Sequence, residues 1–199
     1  MIDWIANLIA QIGPLGVALL MFLENVFPPI PSELIMPLAG FNAAQGTMSL
    51  PVVILAGTAG SLAGATLWYL LGRAVGAERI RRLAARHGRW LTVSPGDVDR
   101  ASAWFDRHGG KAVFFGRLVP AVRTLISIPA GLAGMPLGRF LGWSALGSLL
   151  WTTFLAIAGY MLEGAYARVE RWVDPVSTFV VIAVVVIYVW RVITWKPHR

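Results

Sequence analysis

The stretch Phe22-Leu-Glu-Asn-Val-Phe-Pro-Pro-Ile-Pro-Ser-Glu-Leu-Ile-Met-Pro-Leu-Ala-Gly40 decides the fold. Two carboxylates, Glu24 and Glu33, stand in sequence that otherwise reads as membrane interior. Between them lie Pro28, Pro29 and Pro31, which cannot continue a helix, because each lacks an N–H and restricts the residue before it. A broken backbone carrying charge at membrane depth is tolerated only where protein buries it or where it lines a wet cavity. Ionisable side chains in that setting mark functional sites. On either side, residues 14–27 and 32–45 are apolar but half the length of a span. At about 1.5 Å per residue each rises roughly 21 Å, against a hydrocarbon core of about 30 Å. These features predict a re-entrant hairpin over 14–45. Asn25, Pro28, Pro29, Pro31 and Ser32 form its tip, and Ser32 is the N-cap of the second arm.

Ahead of the hairpin, residues 2–12 mix apolar positions with Asp3, Asn7 and Gln11, which recur every four residues and share a helix face. This predicts a short interfacial helix over 1–12, with Trp4 at headgroup level and Gly13-Pro14 ending it. A single continuous helix over 4–27 is the rival reading, and it reverses the side of the N-terminus. Beyond the hairpin, residues 48–72 are uncharged and long enough to span, with Gly57, Gly60 and Gly64 on one face for close helix packing. Residues 73–110 then read as two amphipathic helices on the cytoplasmic face. The 73–111 stretch holds nine Lys/Arg against four Asp/Glu, and Ser94-Pro95-Gly96-Asp97 makes a turn.

Residues 111–136 give two more short apolar arms, broken near Pro120. This second re-entrant hairpin carries Arg117 and Arg123. Residues 140–162 and 175–195 span, joined by a near-neutral loop at 163–174. An internal repeat ties the halves together. Gly60-Ser-Leu and Gly72 recur as Gly147-Ser-Leu and Gly159 at the same spacing, and Pro-Leu-Ala-Gly40 resembles Pro-Ala-Gly131. The fold class is therefore an all-α membrane protein: an inverted repeat of re-entrant hairpin plus spanning helix, with a C-terminal spanning helix.

The 57% hydrophobic fraction, carried in long uncharged runs, excludes an ordinary soluble domain. The net charge of +7 follows topology rather than nucleic acid. With hairpins entering from opposite faces, thirteen Lys/Arg fall on the cytoplasmic side and only Arg168 and Arg171 outside, while two lie in the second hairpin. The N-terminus is then external and the C-terminus cytoplasmic, in a multi-pass membrane protein. There is no Cys, no nucleophile elbow, no P-loop and no His-Glu-x-x-His, so catalysis, ATP use, metal and cofactor are not expected. If the tips meet, two acids and two arginines compensate one another. Arginine in a dry site suits bidentate phosphate recognition.

At these residues the sequence resembles the DedA family, also described as SNARE-associated or VTT-domain membrane proteins. The matching elements are Glu24-Asn25 with Pro28-Pro29-Ile30-Pro31-Ser32-Glu33, Pro37-Leu38-Ala39-Gly40, and Phe115-Gly116-Arg117-Leu118-Val119-Pro120 leading to Arg123. Ala130-Gly131, Met135, Gly147 and Trp151 follow. The resemblance implies that Glu24, Glu33, Arg117 and Arg123 are the essential acidic and basic positions. It also implies lipid translocation, since members include undecaprenyl-phosphate flippases and phospholipid scramblases. The expected function is transport of an anionic lipid phosphate, with Arg117 and Arg123 binding phosphate and Glu24 and Glu33 exchanging protons or cations. A membrane scaffold with a structural ion-pair centre is the alternative, as is a general phospholipid scramblase. The expected partner is an anionic lipid in the membrane, either undecaprenyl phosphate or a phospholipid; oligomeric state is left open.

Overall fold

The computed structural model describes residues 2–27, 32–82, 85, 94–120 and 122–161. Pro28, Pro29 and Pro31, the loop expected at 163–174 and the span expected at 175–195 lie outside the described residues, as does most of 83–93 in the expected amphipathic segment. The described residues are helical without strands. The helices are α1 (Ile2–Ile12), α2 (Pro14–Val26), α3 (Ser32–Ala44), α4 (Leu50–Val75), α5 (Pro95–Leu118), α6 (Ser127–Leu132) and α7 (Leu137–Met161). Residues 77–82 add a short helical stretch. Only α4 and α7, of 26 and 25 residues, are long and apolar enough to cross a membrane among the described residues. The helices α2 and α3 have 13 residues each and are too short to do so.

The polar positions of α1 behave as its periodicity predicts. Ile5 and Ile9 are buried, while Asn7 and Gln11 face outward. The chain then turns at Gly13, whose φ of 60° suits a residue without a Cβ. Pro14 opens α2 at a position where its missing N–H costs nothing. The turn folds α1 back onto α2 so closely that a Cβ at Gly16 would lie 2.8 Å from the Leu8 carbonyl oxygen. A continuous helix over 4–27 is thereby excluded.

The two long helices cross at the centre. Helix α2 packs on α4, α5 packs on α7, and the short second arms exchange: α3 lies on α7 and α6 on α4. The repeated sequence motifs meet equivalent partners. A Cβ at Gly40 would overlap the Ala156 carbonyl, and one at Gly131 would overlap the Tyr69 carbonyl. Likewise Gly159 admits the backbone of Pro37, and Gly72 admits that of Ile128. On the facing sides of α4 and α7, the serines of the two Gly-Ser-Leu repeats, Ser61 and Ser148, touch hydroxyl to hydroxyl at 3.4 Å.

Helix α5 starts on a capping box, in which Ser94 accepts from the Asp97 N–H and Asp97 accepts from the Ser94 N–H. The sequence reading divides a surface helix from a hairpin arm near residue 110. Two helical segments meet at that boundary, where the backbone leaves helical geometry at Gly109 with φ 29° and ψ −104°. The chain then stays helical to Leu118, and Pro120 stands exposed in the turn that follows.

Two apolar cores flank the middle of the molecule. One gathers Ile5, Ile9, Leu20, Met21, Ile35 and Met36 from α1–α3 with Val53 and Ala156. The other gathers Tyr69, Phe105, Val113, Ile126, Ala130 and Phe140, with the Tyr69 and Phe140 rings stacked at 4.4 Å. Large apolar side chains also face outward from α4 and α7, including Leu55, Leu70, Leu150 and Phe154. Such a surface is suited to lipid.

Candidate functional site

The last turn of α2 brings Glu24 and Asn25 into the interior, where they are 4% and 1% exposed. A helix ending there leaves carbonyls without intrahelical partners. Trp68 of α4 satisfies one of them, its indole N–H donating to the Asn25 carbonyl at 2.8 Å. The opposite arm supplies Arg117, 2% exposed near the end of α5, and the turn after it supplies Arg123, 5% exposed. The four residues meet in one cluster.

Arg123 forms a buried ion pair with the Glu24 carboxylate. Its guanidinium also lies over the Trp151 ring, 5.9 Å from the centroid. Trp151 in turn donates its indole N–H to the Ser32 hydroxyl at 3.4 Å, linking α7 to the start of α3. Ser32 is therefore engaged through its side chain by the other half of the molecule.

Arg117 is held differently. It donates to the Ser127 hydroxyl at 2.7 Å and to the Asn25 side-chain oxygen at 3.4 Å. Among the described residues it has no carboxylate within ion-pair distance, and its Nε has no hydrogen-bond partner. A buried guanidinium without a carboxylate is costly unless something else supplies negative charge. Glu33, at the start of α3, lies within Coulombic reach of Glu24, and its buried Oε1 also lacks a hydrogen-bond partner.

Asn25 was singled out from the sequence for its place at the hairpin tip; the structure gives its side chain a central role. Its amide nitrogen is within 3.3 Å of the Met21 carbonyl, 3.2 Å of Glu24 Oε2 and 3.1 Å of the Ser61 hydroxyl. Ser61 continues to Ser148, and one turn along, Thr58 and Thr152 pair at 2.8 Å. Sequence reasoning did not pick Ser61, Ser127 or Ser148 as site residues. The Gly-Ser-Leu repeat was the one available pointer, since it marks Ser61 and Ser148 as related positions. Asn25 and Arg117 are also related by packing. A Cβ at Gly64 would meet Asn25 Cβ and the Phe22 carbonyl, and one at Gly147 would meet Arg117 Cβ and the Phe114 carbonyl. The described residues bring together no group of His, Asp or Glu that could hold a metal ion.

Comparison with known proteins gives this cluster a context. The VTT domain signature matches residues 27–161. An "alkaline phosphatase-like protein" of Lactococcus lactis subsp. lactis is 36% identical over 196 residues, covering 98% of this chain and 92% of its own. "Undecaprenyl phosphate transporter A" of Staphylococcus aureus is 33% identical over 186 residues, 92% of either chain. The Bacillus subtilis protein of the same name is 30% identical over 193 residues, covering 96% of this chain and 91% of its own. No solved structure matches the chain at a significant level. The signature begins just after Glu24 and Asn25 and covers Arg117, Arg123 and both long helices, and the chain belongs to the VTT-domain, or DedA, family of membrane proteins.

Proposed function

We propose that this protein moves an anionic lipid phosphate across the membrane, undecaprenyl phosphate in particular, as a flippase coupled to protons or cations. The observation that carries the reading is Arg117: a buried guanidinium with no carboxylate partner and an unpartnered Nε among the described residues, one residue contact away from the Glu24–Arg123 pair. Planar donors in a dry site favour a phosphate oxyanion. The names of the Staphylococcus and Bacillus relatives support the same substrate class.

In this reading the arms α2/α3 and the end of α5/α6 are re-entrant hairpins entering from opposite faces, and the halves form an inverted repeat around a midplane site. Arg117 and Arg123 take the phosphate, while the lipid tail stays in the bilayer. Phosphate entry competes with Glu24 for Arg123. Incoming negative charge favours protonated Glu24 and Glu33, so binding and proton uptake are linked, and linkage is reciprocal.

The test is reconstitution into liposomes containing undecaprenyl phosphate, with an assay of headgroup accessibility. Wild type should speed headgroup movement. Arg117→Lys and Arg123→Lys keep the charge but lose the planar fork, so they should insert normally and lose most of the activity. Full activity in both variants would remove the case for bidentate recognition. One observation favours a second reading: the Glu24–Arg123 pair is closed and embedded in hydrogen bonds, as a structural lock would be. A scaffold of that kind leaves headgroup movement at the protein-free rate.

A further inference from the structure

Arg117 lies near an available anion, yet it does not pair with it. Glu24 is engaged by Arg123 on one side and by the Asn25 amide on the other. The Asn25 carboxamide stands between Glu24 and Arg117 with opposite ends turned to opposite charges: Nδ2 to the carboxylate at 3.2 Å, Oδ1 to the guanidinium at 3.4 Å. A carboxamide is the neutral group that can donate to an anion and accept from a cation at once. Its place is fixed by α4, through the Ser61 hydroxyl on the amide nitrogen, Trp68 on the main-chain carbonyl, and Gly64 beneath the Cβ.

We propose that Asn25 is a positioning residue, a neutral spacer that keeps Arg117 from being neutralised by an internal carboxylate and so holds it available to the substrate anion. This rests on the reading that Arg117 binds phosphate. The spacer gives Arg117 an acceptor good enough to fix it and weak enough to surrender. A 3.4 Å contact to a neutral oxygen is at the long end of hydrogen bonding. A carboxylate at the same place would hold the guanidinium by a charge-assisted bond of roughly twice the strength. The charged groups facing the spacer are Glu24 on its own helix, Arg117 from α5 and Arg123 from the turn after it, with Glu33 from α3 beyond Glu24.

The test compares wild type, Asn25→Asp, Asn25→Ser and Asn25→Leu in neutral detergent, with dodecyl phosphate as ligand and unliganded unfolding as second readout. A spacer predicts an order set by charge and polarity. Ser, a neutral donor and acceptor, should bind within about threefold of wild type, whereas Asp, though isosteric, should lose at least about tenfold, or 1.4 kcal/mol. Leu, of similar size, should bind more weakly than Ser and be the least stable without ligand, since Arg117 and Glu24 each lose a partner. A role in shape alone predicts the reverse, with Asp and Leu close to wild type and Ser the poorest. The Asp defect should vanish in an Arg117→Gln background, because it acts through that arginine. Wild-type affinity in Asn25→Asp, or Leu binding better than Ser, overturns the proposal. So does failure of the Ser variant to fold, since a spacer tolerates another neutral polar group. If wild type does not bind dodecyl phosphate at all, the phosphate reading falls. The unfolding order of the four proteins then decides the spacer separately.

Discussion

Replacing Glu24 by Gln separates a substrate site from a structural lock, because the two readings give opposite signs. The change removes one negative charge and keeps the shape. The Gln oxygen can still accept from Arg123, but its amide nitrogen then stands where Oε2 accepted from Asn25. What is lost is the charge opposite a guanidinium that is 5% exposed, beside a second that is 2% exposed. Removing one partner of a buried pair costs about 3–5 kcal/mol. The retained amide acceptor and the Trp151 face, which at 5.9 Å contributes of order 1 kcal/mol, put this case near the lower end, about 3 kcal/mol. Without ligand, Glu24→Gln should therefore be clearly less stable than wild type. A bound phosphate supplies the missing charge. In wild type it must displace Glu24 from Arg123 or see it protonated; in the variant it meets no competitor. Dodecyl phosphate at roughly one hundred times its Kd adds about 2.7 kcal/mol, enough to restore most of the deficit. Binding to the variant should be tighter than to wild type at neutral pH and should depend less on pH, keeping only the part due to Glu33 and to the phosphate's own titration near pH ~6, whereas wild-type binding strengthens as pH falls. Unfolding with and without ligand and binding isotherms across pH read all of this. Weaker binding to the Gln variant at neutral pH would refute the competition argument, and unchanged unliganded stability would refute the burial argument.

Glycines at the exchanged arms should be intolerant in matched pairs. Gly40→Ala and Gly131→Ala each force a methyl into a backbone carbonyl, costing about 1–3 kcal/mol or more. Gly142→Ala on α7 meets nothing within 4 Å and should be neutral or stabilising by up to about 1 kcal/mol, as unfolding in detergent will show. At the start of α5 the Ser94 N–H, Arg100 and the Ser94 hydroxyl hold the Asp97 carboxyl well below the usual carboxylate range. A depressed folded-state value stabilises above the unfolded-state titration near pH ~4 and is lost as pH falls through the folded value. Asp97→Ala should thus cost about 1 kcal/mol or less at pH 7, discounted for exposure, with the gap to wild type closing in acid on a pH series of unfolding curves. Tags at the N-terminus and in the 163–174 loop should be external, and tags near residue 95 and after Arg199 cytoplasmic, by accessibility in intact cells. A cytoplasmic N-terminus overturns the proposed orientation of the first hairpin.

The charged cluster was legible because its residues break strong local rules. Carboxylates and arginines in apolar runs stand out one at a time, and prolines between half-length helices show that the charges lie on a break. The hydroxyls of the site had no such contrast. A Ser or Thr in an apolar helix can bond its own backbone, as Thr58 does to the Ile54 carbonyl and Thr66 to the Leu62 carbonyl. Nothing in one sequence tells those from Ser61, which serves Asn25 across the helix interface. The glycine face of α4 was read as packing, and that is what its residues do. Gly57 faces the Met36 side chain, Gly60 the Ala18 backbone and Gly64 the site residue Asn25. The boundary near residue 110 was legible because a change in composition there coincides with a glycine pair, and the backbone leaves helical geometry at Gly109. Gly109 bends the helix, and Gly110 must lie flat because the Trp143 ring occupies the space of a side chain there.

The two halves are alike in packing and unlike in charge, and that difference bears on the proposed binding of one anion. Asn25 and Arg117 are seated alike, each over a glycine of a long helix and beside a phenylalanine carbonyl three residues earlier, although Gly64 lies one turn beyond Gly60, the repeat partner of Gly147. Ser61 and Ser148 are counterparts in the repeat, and they touch. A packing arrangement that brings similarly seated residues face to face is hazardous for charged ones. Two arginines at these positions would repel in a dry interior, and two asparagines would offer no net charge to a phosphate. One asparagine facing one arginine avoids both outcomes and fills the contact with a hydrogen bond. The same logic extends to the carboxylates, which both lie on the first arm pair, while both arginines lie on the second. Substitution should expose the asymmetry. Asn25→Arg adds a second buried cation within hydrogen-bonding distance of Arg117, and should destabilise the unliganded protein by several kcal/mol. Adding Arg117→Asn to that variant exchanges the two side chains and should recover a substantial part of the loss, because one cation again faces one neutral acceptor. Unfolding of the two single variants and the double variant measures this coupling. Additive losses would mean that the two positions do not face each other in the way described, and that the likeness of the halves ends at their backbones.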